Sequence, residues 1–193
     1  MKKVLILLLA FALLTPLGSP VCAAGDARRI ALLPVAATAK ARELPAVKAR
    51  ITATIAAWFH TPLPSFVKKY EIIPAAEITA ALPPNGALDP RRPDLAGLGQ
   101  LAAKLDADLI LGFIITDLGE YQLRNLEGDL KLRTDLEMRL IGFKADSGKI
   151  IDIKGREDYF DDWAADGEAE NLAAVLTERL LVKAAGGREF WPR

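Results

Sequence analysis

One apolar run constrains this fold more than any other feature of the sequence. It lies within DADLILGFIITDLGEY at residues 106–121, with acidic residues on both sides. The run holds roughly eight apolar or small residues, whereas a helix needs about 20 to span a bilayer. Its β-branched residues Ile110, Ile114 and Ile115 favour a strand. We therefore predict the central strand of a soluble sheet, ending before Asp117, and neither a membrane span nor a pore hairpin.

The N-terminal residues have the layout of a secretory signal peptide. Lys2 and Lys3 precede an apolar stretch at residues 4–14, and small residues follow it. The apolar stretch is too short for a typical membrane-spanning helix. We predict a signal peptide at residues 1–24 and one α/β domain at residues 25–193, with a C-terminal tail at residues 186–193.

Cys22 is the one cysteine of the chain, and it leaves two interpretations open. As a lipoprotein cysteine it would anchor the chain in a membrane, but Val21 and Ser19 do not match a lipid-attachment signal. Ordinary cleavage would instead remove it, which excludes disulfides, thiol catalysis and cysteine metal sites together. Losing Lys2 and Lys3 takes the basic count from 25 to 23 against 25 acidic residues. A chain with this charge balance has no overall positive charge that would attract nucleic acid or an anionic membrane.

The first half of the mature chain predicts strands that alternate with helices. Apolar residues 30–35 indicate a strand buried on both faces, and residues 70–73 indicate a second strand. A helix should begin at Pro45, and a short helix should cover residues 74–82. The buried stripe of the first helix should comprise Val47, Ile51, Ile55, Trp58 and Phe59. Asp94 should cap a third helix that continues through Leu105.

The second half predicts an antiparallel hairpin with one apolar face and one charged face. Residues 130–140 alternate leucine or methionine with charged residues, and KADSGK at residues 144–149 supplies the turn. We predict the register in which every opposed charge pair is opposite in sign, because like charges directly across a sheet are unfavourable. This register aligns Arg133–Asp158, Asp135–Arg156, Glu137–Lys154 and Arg139–Asp152. The charged row should be left largely to water.

A last helix completes the predicted fold. Asp166 should cap it, and its buried stripe should comprise Leu172, Val175, Leu176 and Leu180. The element order is then β-α-β-α-α-β-β-β-α. It predicts an α/β (α+β) fold with a mixed sheet of about five strands, helices packed on the sheet and antiparallel C-terminal strands. The early strands should be parallel and central, since helices connect them.

Four phrases of the sequence resemble the α/β domain of a group of bacterial envelope proteins. They are RIALLPV, YEIIPAAEITAAL, LGQLAAKLDADLILGFI and LEMRLIGFKADSGKII, and the likeness covers residues 28–185. The curli-secretion channel lipoprotein, the N-terminal domain of the Tol-system propeller protein and lipoprotein activators of cell-wall synthases share this domain. The resemblance implies an exported, non-catalytic module that docks on other envelope components, in the periplasm or associated with the outer membrane. The connections RNLEGD and KADSGK are short, so the long pore hairpins of the curli channel are not expected.

No set of residues identifies a chemical reaction. His60 is the one histidine, and the serines of the mature chain, Ser65 and Ser147, lie in no nucleophile motif. A lone histidine without a cysteine is a poor metal ligand set. Arg91 and Arg92 are interpreted as solvated loop charges. We therefore predict no catalytic residue, no metal site and no cofactor.

The acidic segment EDYFDDWAADGEAE at residues 157–170 is the densest charge cluster. Calcium would need Asp161, Asp162, Asp166 and Glu168, whose spacing differs from that of a calcium loop. A solvated corner is the preferred interpretation. Its aromatic residues can instead serve a partner surface.

The segment REFWPR at residues 188–193 carries a second aromatic group. Its aromatic pair either docks back on the domain or forms a free anchor for a partner. Our candidate partner-binding residues from the sequence are Tyr159, Trp163, Phe190 and Trp191.

The sequence thus predicts an exported, non-enzymatic binding or assembly module of the bacterial cell envelope. Its partners should be envelope proteins or further copies of itself, not nucleic acid, and a membrane only if Cys22 is lipidated. Two alternatives stay open. One is an envelope hydrolase or ligand-binding protein that uses the acidic residues 157–170. The other is a subunit of an outer-membrane-associated oligomer without pore hairpins of its own.

Overall fold

The computed structural model of the protein describes residues 27–38, 41, 45–60, 70–82 and 93–186. Several sequence predictions concern residues outside these ranges: the signal peptide at residues 1–24 with Cys22, Ser65, Arg91, Arg92, Phe190 and Trp191.

The described residues form a mixed sheet with helices on both faces. In chain order the elements are β1 (Arg28–Leu32), β2 (Ala36–Ala37), α1 (Pro45–Phe59), β3 (Tyr70–Ile72), α2 (Ala75–Ala81), α3 (Gly97–Leu105), β4 (Leu109–Arg124), β5 (Leu130–Lys144), β6 (Lys149–Asp162), a short 3-10 helix (Ala165–Gly167) and α4 (Ala169–Ala184). The predicted fold class and element order are confirmed. The two-residue strand β2 is an addition that the sequence did not signal.

The sheet runs in the order β3-β1-β4-β5-β6, and β2 pairs with β4. Strand β1 is parallel to both β3 and β4, whereas β4, β5 and β6 pair antiparallel. The apolar run that begins β4 lies at the centre, as predicted. Strand β3 forms an edge, so the prediction that both early strands are central is correct for β1 alone. Among the described helices, none is both long enough and apolar enough to cross a membrane.

Two apolar cores lie on opposite faces of this sheet. Helices α1 and α4 cover one face, and α2 and α3 cover part of the other. Ile30 and Ala31, neighbours on β1, enter different cores and are fully buried. This alternation explains why residues 30–33 are all apolar. Asp94 accepts a hydrogen bond at 3.0 Å from the amide of Gly97, the first residue of α3, but the N-cap position is occupied by Ala96 and not, as predicted, by Asp94.

Two residues of the predicted helical stripes are exposed. Trp58 is 36% exposed because its neighbour Phe59, one position along α1, takes the core position. Adjacent helical residues point about 100° apart, so only one of them faces the sheet. Val175 is 51% exposed, because the buried stripe of α4 lies on a different side of the helix, which includes Thr177 and Leu181.

The register of β5 and β6 differs from the prediction by two residues. Arg139 lies directly opposite Lys154, and Asp135 lies directly opposite Asp158. The turn decides the register. Residues 145–148 form a four-residue loop closed by Lys144 and Lys149, with Gly148 at a φ of +63°. The predicted register would have required a two-residue turn without glycine, which hairpins disfavour.

Two of the four expected charge pairs, Arg139–Asp152 and Asp135–Arg156, nevertheless form, on the diagonal. The Arg139 guanidinium donates to both carboxylate oxygens of Asp152 at 2.7 Å. Arg156 pairs with Asp135 at 3.1 Å. Long side chains reach residues two positions along a neighbouring strand, so opposite charges meet even where like charges are aligned. Opposite charge therefore identified two of the partners but could not determine the register.

Candidate interaction surface

Strands β4, β5 and β6 extend well beyond the rest of the sheet. Strands β1 and β2 accompany β4 only as far as Ile115. Past that point, residues 117–124, 130–137 and 156–162 continue as a three-stranded ribbon, which we call the distal ribbon. The predicted end of β4 before Asp117 is therefore wrong, and β4 and β5 form a longer hairpin than expected. Charged residues do not end the strand here, because one face of the ribbon is open to solvent.

A β-bulge marks the start of the distal ribbon. The register of β4 against β5 shifts between Ile115 and Asp117, with Thr116 as the extra residue. The Thr38 hydroxyl donates to the Thr116 carbonyl at 2.8 Å, and the Thr116 hydroxyl donates to the Glu137 carbonyl at 3.1 Å. These bonds hold the irregular backbone between the body of the sheet and the ribbon. Bulges increase twist and bend a strand, so this one sets the direction in which the ribbon leaves the sheet.

The start of α4 holds one face of the distal ribbon. Thr134 is fully buried, and its hydroxyl donates to the Gly167 carbonyl at 2.6 Å. Glu120 accepts a hydrogen bond from the Ala169 amide, the first residue of α4, at 2.9 Å. The prediction that Asp166 caps this helix is wrong, because α4 begins three residues later and a carboxylate from β4 takes that role. A distant strand thus supplies the negative charge that a helix N-terminus favours.

The other face of the ribbon is an open array of paired charges. The Arg133 guanidinium beside Asp135 lowers the pKa of that carboxyl, and Arg156 adds to the effect. The hydrogen bond to Asp162 raises the pKa of the Lys131 ammonium, against a smaller opposing effect of burial. Each group is therefore held in its charged form. Because these ion pairs are exposed, they stabilise the fold little and chiefly keep this face solvated.

The end of the ribbon is apolar and exposed. Six large hydrophobic residues lie there, which we call the distal tip: Tyr121, Leu123, Leu126, Leu130, Phe160 and Trp163. Leu126, in the turn between β4 and β5, is fully exposed, and the others range from 38% at Leu130 to 66% at Phe160. Tyr121 and Phe160 both align with Arg133 on β5, so they share the open face. Leu130 and Trp163 lie on the other face, because each is one position removed from the paired residues Lys131 and Asp162. Exposed apolar residues gathered at one end of a ribbon make this end the candidate interaction surface.

Of the four site residues predicted from the sequence, the structure describes Tyr159 and Trp163, and their surroundings differ. Trp163 lies in the distal tip and is 50% exposed. Tyr159 faces α4: its ring lies against Gly167, and its hydroxyl donates to the Asp162 carbonyl at 2.8 Å. Phe160 points the other way, because successive strand residues alternate. Phe190 and Trp191 lie outside the described residues, so the four candidates are not shown together.

The candidates predicted from the sequence omit five residues of the distal tip: Phe160 on β6 and four residues on or beside β4 and β5. Their signal was present: Tyr121 and Leu123 alternate with polar residues, and Leu126 lies between the polar turn residues Asn125 and Glu127. It went unused because β4 was expected to end before Asp117. An apolar residue in a predicted polar loop is a useful pointer to a binding surface, since solvation alone does not require it.

Three carboxylates of the acidic segment 157–170 form ion pairs with basic side chains of the fold. Within the described residues, no group of three or more histidine, cysteine, aspartate or glutamate side chains has a metal-binding arrangement. Lys131 pairs with both Asp161 and Asp162, and Arg179 of α4 pairs with Glu157. These ion pairs fix the positions of the three carboxylates relative to β5 and α4.

An open cleft of about 630 Å³ lies at the opposite end of β4, between α3 and the sheet. Arg29 lines it, but this guanidinium donates to the Leu105 carbonyl at 2.9 Å and contacts Glu77 and Asp106 at 3.3 Å. Its role is to satisfy the carbonyls at the end of α3, which helices leave without internal partners. The cleft therefore offers a ligand little that the fold does not already use.

Several solved structures resemble this chain at low sequence identity. The hypothetical protein CT253 from Chlamydia trachomatis is 15% identical, with a TM-score of 0.47, over 83% of this chain and 96% of that chain. Lipoprotein GNA1162 from Neisseria meningitidis is 16% identical, with a TM-score of 0.43, over 82% and 99%. The LpoB C-terminal domain from Salmonella enterica is 14% identical, with a TM-score of 0.40, over 70% and 85%. The expected resemblance to envelope lipoproteins is confirmed as a likeness of fold, which at these identities bears on nothing further.

No protein-family model matches the sequence, and no curated protein does.

Proposed function

We propose that this protein is an exported, non-enzymatic module of the bacterial cell envelope that binds another envelope protein through its distal tip. The observation that carries the proposal is the concentration of six exposed large hydrophobic residues at the end of one projecting ribbon. The N-terminal signal pattern, Lys2 and Lys3 followed by apolar residues 4–14, supports export to the periplasm or to the outer membrane.

The construction of the ribbon favours binding over catalysis. Its backbone is held by the Thr116 bulge at one end and by the Thr134–Gly167 hydrogen bond on its helix-facing side. A rigid support lowers the entropy that binding would otherwise lose. Aromatic side chains that are presented on such a support are the residues that usually dominate binding energy.

The charges around the distal tip indicate the chemistry of the partner. The residues nearest the tip, 120–133 and 158–163, include six acidic side chains and three basic ones. The acidic residues are Glu120, Glu127, Asp129, Asp158, Asp161 and Asp162, and the basic ones are Arg124, Lys131 and Arg133. A complementary partner therefore presents an apolar surface bordered by lysine or arginine. Such charges mainly raise the association rate, so binding should weaken as salt increases.

A capture experiment tests this proposal. The mature chain, residues 25–193, is used as bait in cross-linked cells, and captured envelope proteins are purified for direct binding measurements. The test variant carries Tyr121→Ser and Phe160→Ser, which remove two exposed aromatic side chains of the tip. We expect at least about tenfold weaker binding, because aromatic residues at the centre of an interface are worth 2 kcal/mol or more.

A matched variant controls for the loss of exposed apolar surface elsewhere. Ile150 and Val175 are 45% and 51% exposed and lie away from the tip, so Ile150→Ser with Val175→Ser should leave binding unchanged. Equal binding by the tip variant and the control would refute the distal tip as the interface. Sedimentation analysis of the pure chain separates a second outcome: if only self-association is lost in the tip variant, the partner is another copy of this chain.

Loss of binding on truncation after Gly187, with the tip variant unaffected, would move the interface to Phe190 and Trp191. Those two residues, together with Tyr159 and Trp163, remain predictions from the sequence.

A further inference from the structure

Helices α1 and α4 enclose a shallow groove on the outer surface of the helical layer. Its volume is about 590 Å³. The apolar part of its lining is Ala53, Ala57 and Trp58 from α1 and Ala174 from α4, and its charged borders are Arg50 and Glu178. Trp58, which the sequence predicted to be in the core, is therefore the largest apolar side chain of an open groove.

One face of α4 connects this groove to the end of the helix. Ala174, Glu178, Val182 and Gly186 follow one another at intervals of four residues, so they lie along one side of the helix. Val182 is 44% exposed. An apolar residue thus lies on the surface between the groove and the point where the chain leaves α4.

The chain changes direction at Gly186. Its φ is +65°, the left-handed conformation that ends helices, and its amide donates to the Lys183 carbonyl at 3.1 Å. A left-handed residue at this position turns the chain away from the helix axis. Seven residues of the sequence follow it, GREFWPR at 187–193, with Phe190 and Trp191 at their centre.

We propose that residues 187–193 fold back along α4 and place Phe190 and Trp191 in the groove between α1 and α4 of the same molecule. The lengths agree. Glu178 lies eight residues before Gly186, or about 12 Å along the helix at 1.5 Å per residue. Phe190 and Trp191 lie four and five residues beyond Gly186, or about 13–17 Å in extended chain. The aromatic pair therefore reaches the groove without any change in α4.

The chemistry of the segment also matches the groove. Two aromatic rings would cover Ala57 and Trp58, which otherwise stay in contact with water. Glu189 and Arg193, which flank the aromatic pair, are opposite in charge to Arg50 and Glu178 at the groove borders. The proposal goes beyond the function proposed for the distal tip, since it assigns the aromatic pair to the protein's own fold and not to a partner.

An engineered disulfide tests this arrangement in the mature chain, residues 25–193, which contains no native cysteine. The test pair is Ala174→Cys with Pro192→Cys, which leaves both aromatic residues in place. We expect an intramolecular disulfide on mild oxidation, detected by peptide mass mapping of the monomer. The control pair is Val175→Cys with Pro192→Cys, because Val175 is exposed on a different side of α4. We expect it to cross-link at least about tenfold more slowly.

Equal cross-linking of both pairs would overturn the proposal, because an unattached segment would reach both positions. A disulfide found only between two molecules would also overturn it and would place the segment on a second copy.

Limited proteolysis gives a second readout without cysteines. Trypsin cleavage after Arg188 should be slow in the unmodified chain and at least about tenfold faster in Ala57→Glu, which places a charge in the groove at an exposed position. The Val175→Glu variant is the control and should behave like the unmodified chain. Fast cleavage in all three proteins would contradict the proposal. Partner capture through the distal tip should be unaffected by Ala57→Glu, so the two proposals fail separately.

Discussion

The hydrogen bond between Thr134 and Gly167 should be one of the most sensitive points of the fold. Thr134 is fully buried on β5, and its hydroxyl donates to the Gly167 carbonyl at 2.6 Å. Thr134→Val keeps nearly the same shape but removes this donor from a buried carbonyl. The loss should cost about 1–3 kcal/mol, the usual penalty for a buried polar group left without its partner. For a domain of this size the melting temperature should fall by about 2–12 °C.

A second buried threonine provides the control. Thr177 on α4 is also fully buried, and its hydroxyl donates to the Ala173 carbonyl at 2.6 Å. That carbonyl also accepts the regular helical hydrogen bond from the Thr177 amide, so the hydroxyl is a second donor to it. Thr177→Val removes a hydroxyl with the same burial and should cost less than about 0.5 kcal/mol.

Urea unfolding of both variants, followed by far-ultraviolet circular dichroism, measures the difference. Thr134→Val should lower the midpoint with an unchanged slope. If both variants lose the same stability, the loss depends on the burial of the hydroxyl and not on which carbonyl accepts its hydrogen bond. If Thr134→Val is as stable as the unmodified protein, this hydrogen bond does not hold the ribbon to α4.

Three further outcomes are expected. Glu120→Gln should cost about 0.5–1 kcal/mol by weakening the cap of α4, whereas Asp166→Asn should change the urea midpoint little. Gly142→Ala places a Cβ 2.5 Å from a backbone carbonyl of β4 and should cost about 1–3 kcal/mol; an unaltered midpoint would contradict this. The Arg139 guanidinium lowers the pKa of Asp152 in the folded protein. This carboxylate therefore stabilises the fold at pH values above its ordinary pKa, and the contribution is lost as the pH falls through the lowered pKa. Arg139→Gln should return that pKa toward its usual range in a carboxyl NMR titration, and no movement would refute the pairing.

The elements of the fold were readable from the sequence because each depends on its own periodicity. The 3.6-residue spacing of Val47, Ile51 and Ile55 identifies α1, and the two-residue alternation of Leu132, Leu136 and Met138 identifies β5. All three residues of each set are buried. Local patterns failed where two neighbours compete for one buried position. Trp58 and Phe59 are both apolar, and only the packing of α1 on the sheet decides between them.

The candidate site was less accessible to sequence reasoning. Trp163 was found because it stands in a conspicuous acidic segment. Tyr121 and Leu126 were not, since their importance depends on β4 continuing beyond the point where β1 and β2 end. Which strands share a sheet, and how far each extends past its neighbours, are relations between distant segments. No local pattern reports them.

The sequence by itself determined the element order, the central apolar strand, the charged face of the hairpin and two of the charge pairs that form there. These follow from residue type and spacing, which act over a few positions. Only the tertiary structure decided the register of β5 and β6, the cap of α4 by Glu120 and the exposure of the distal tip. Each of these is set by contacts between segments far apart in the chain, where turn geometry and packing outweigh the small energies of individual charge pairs.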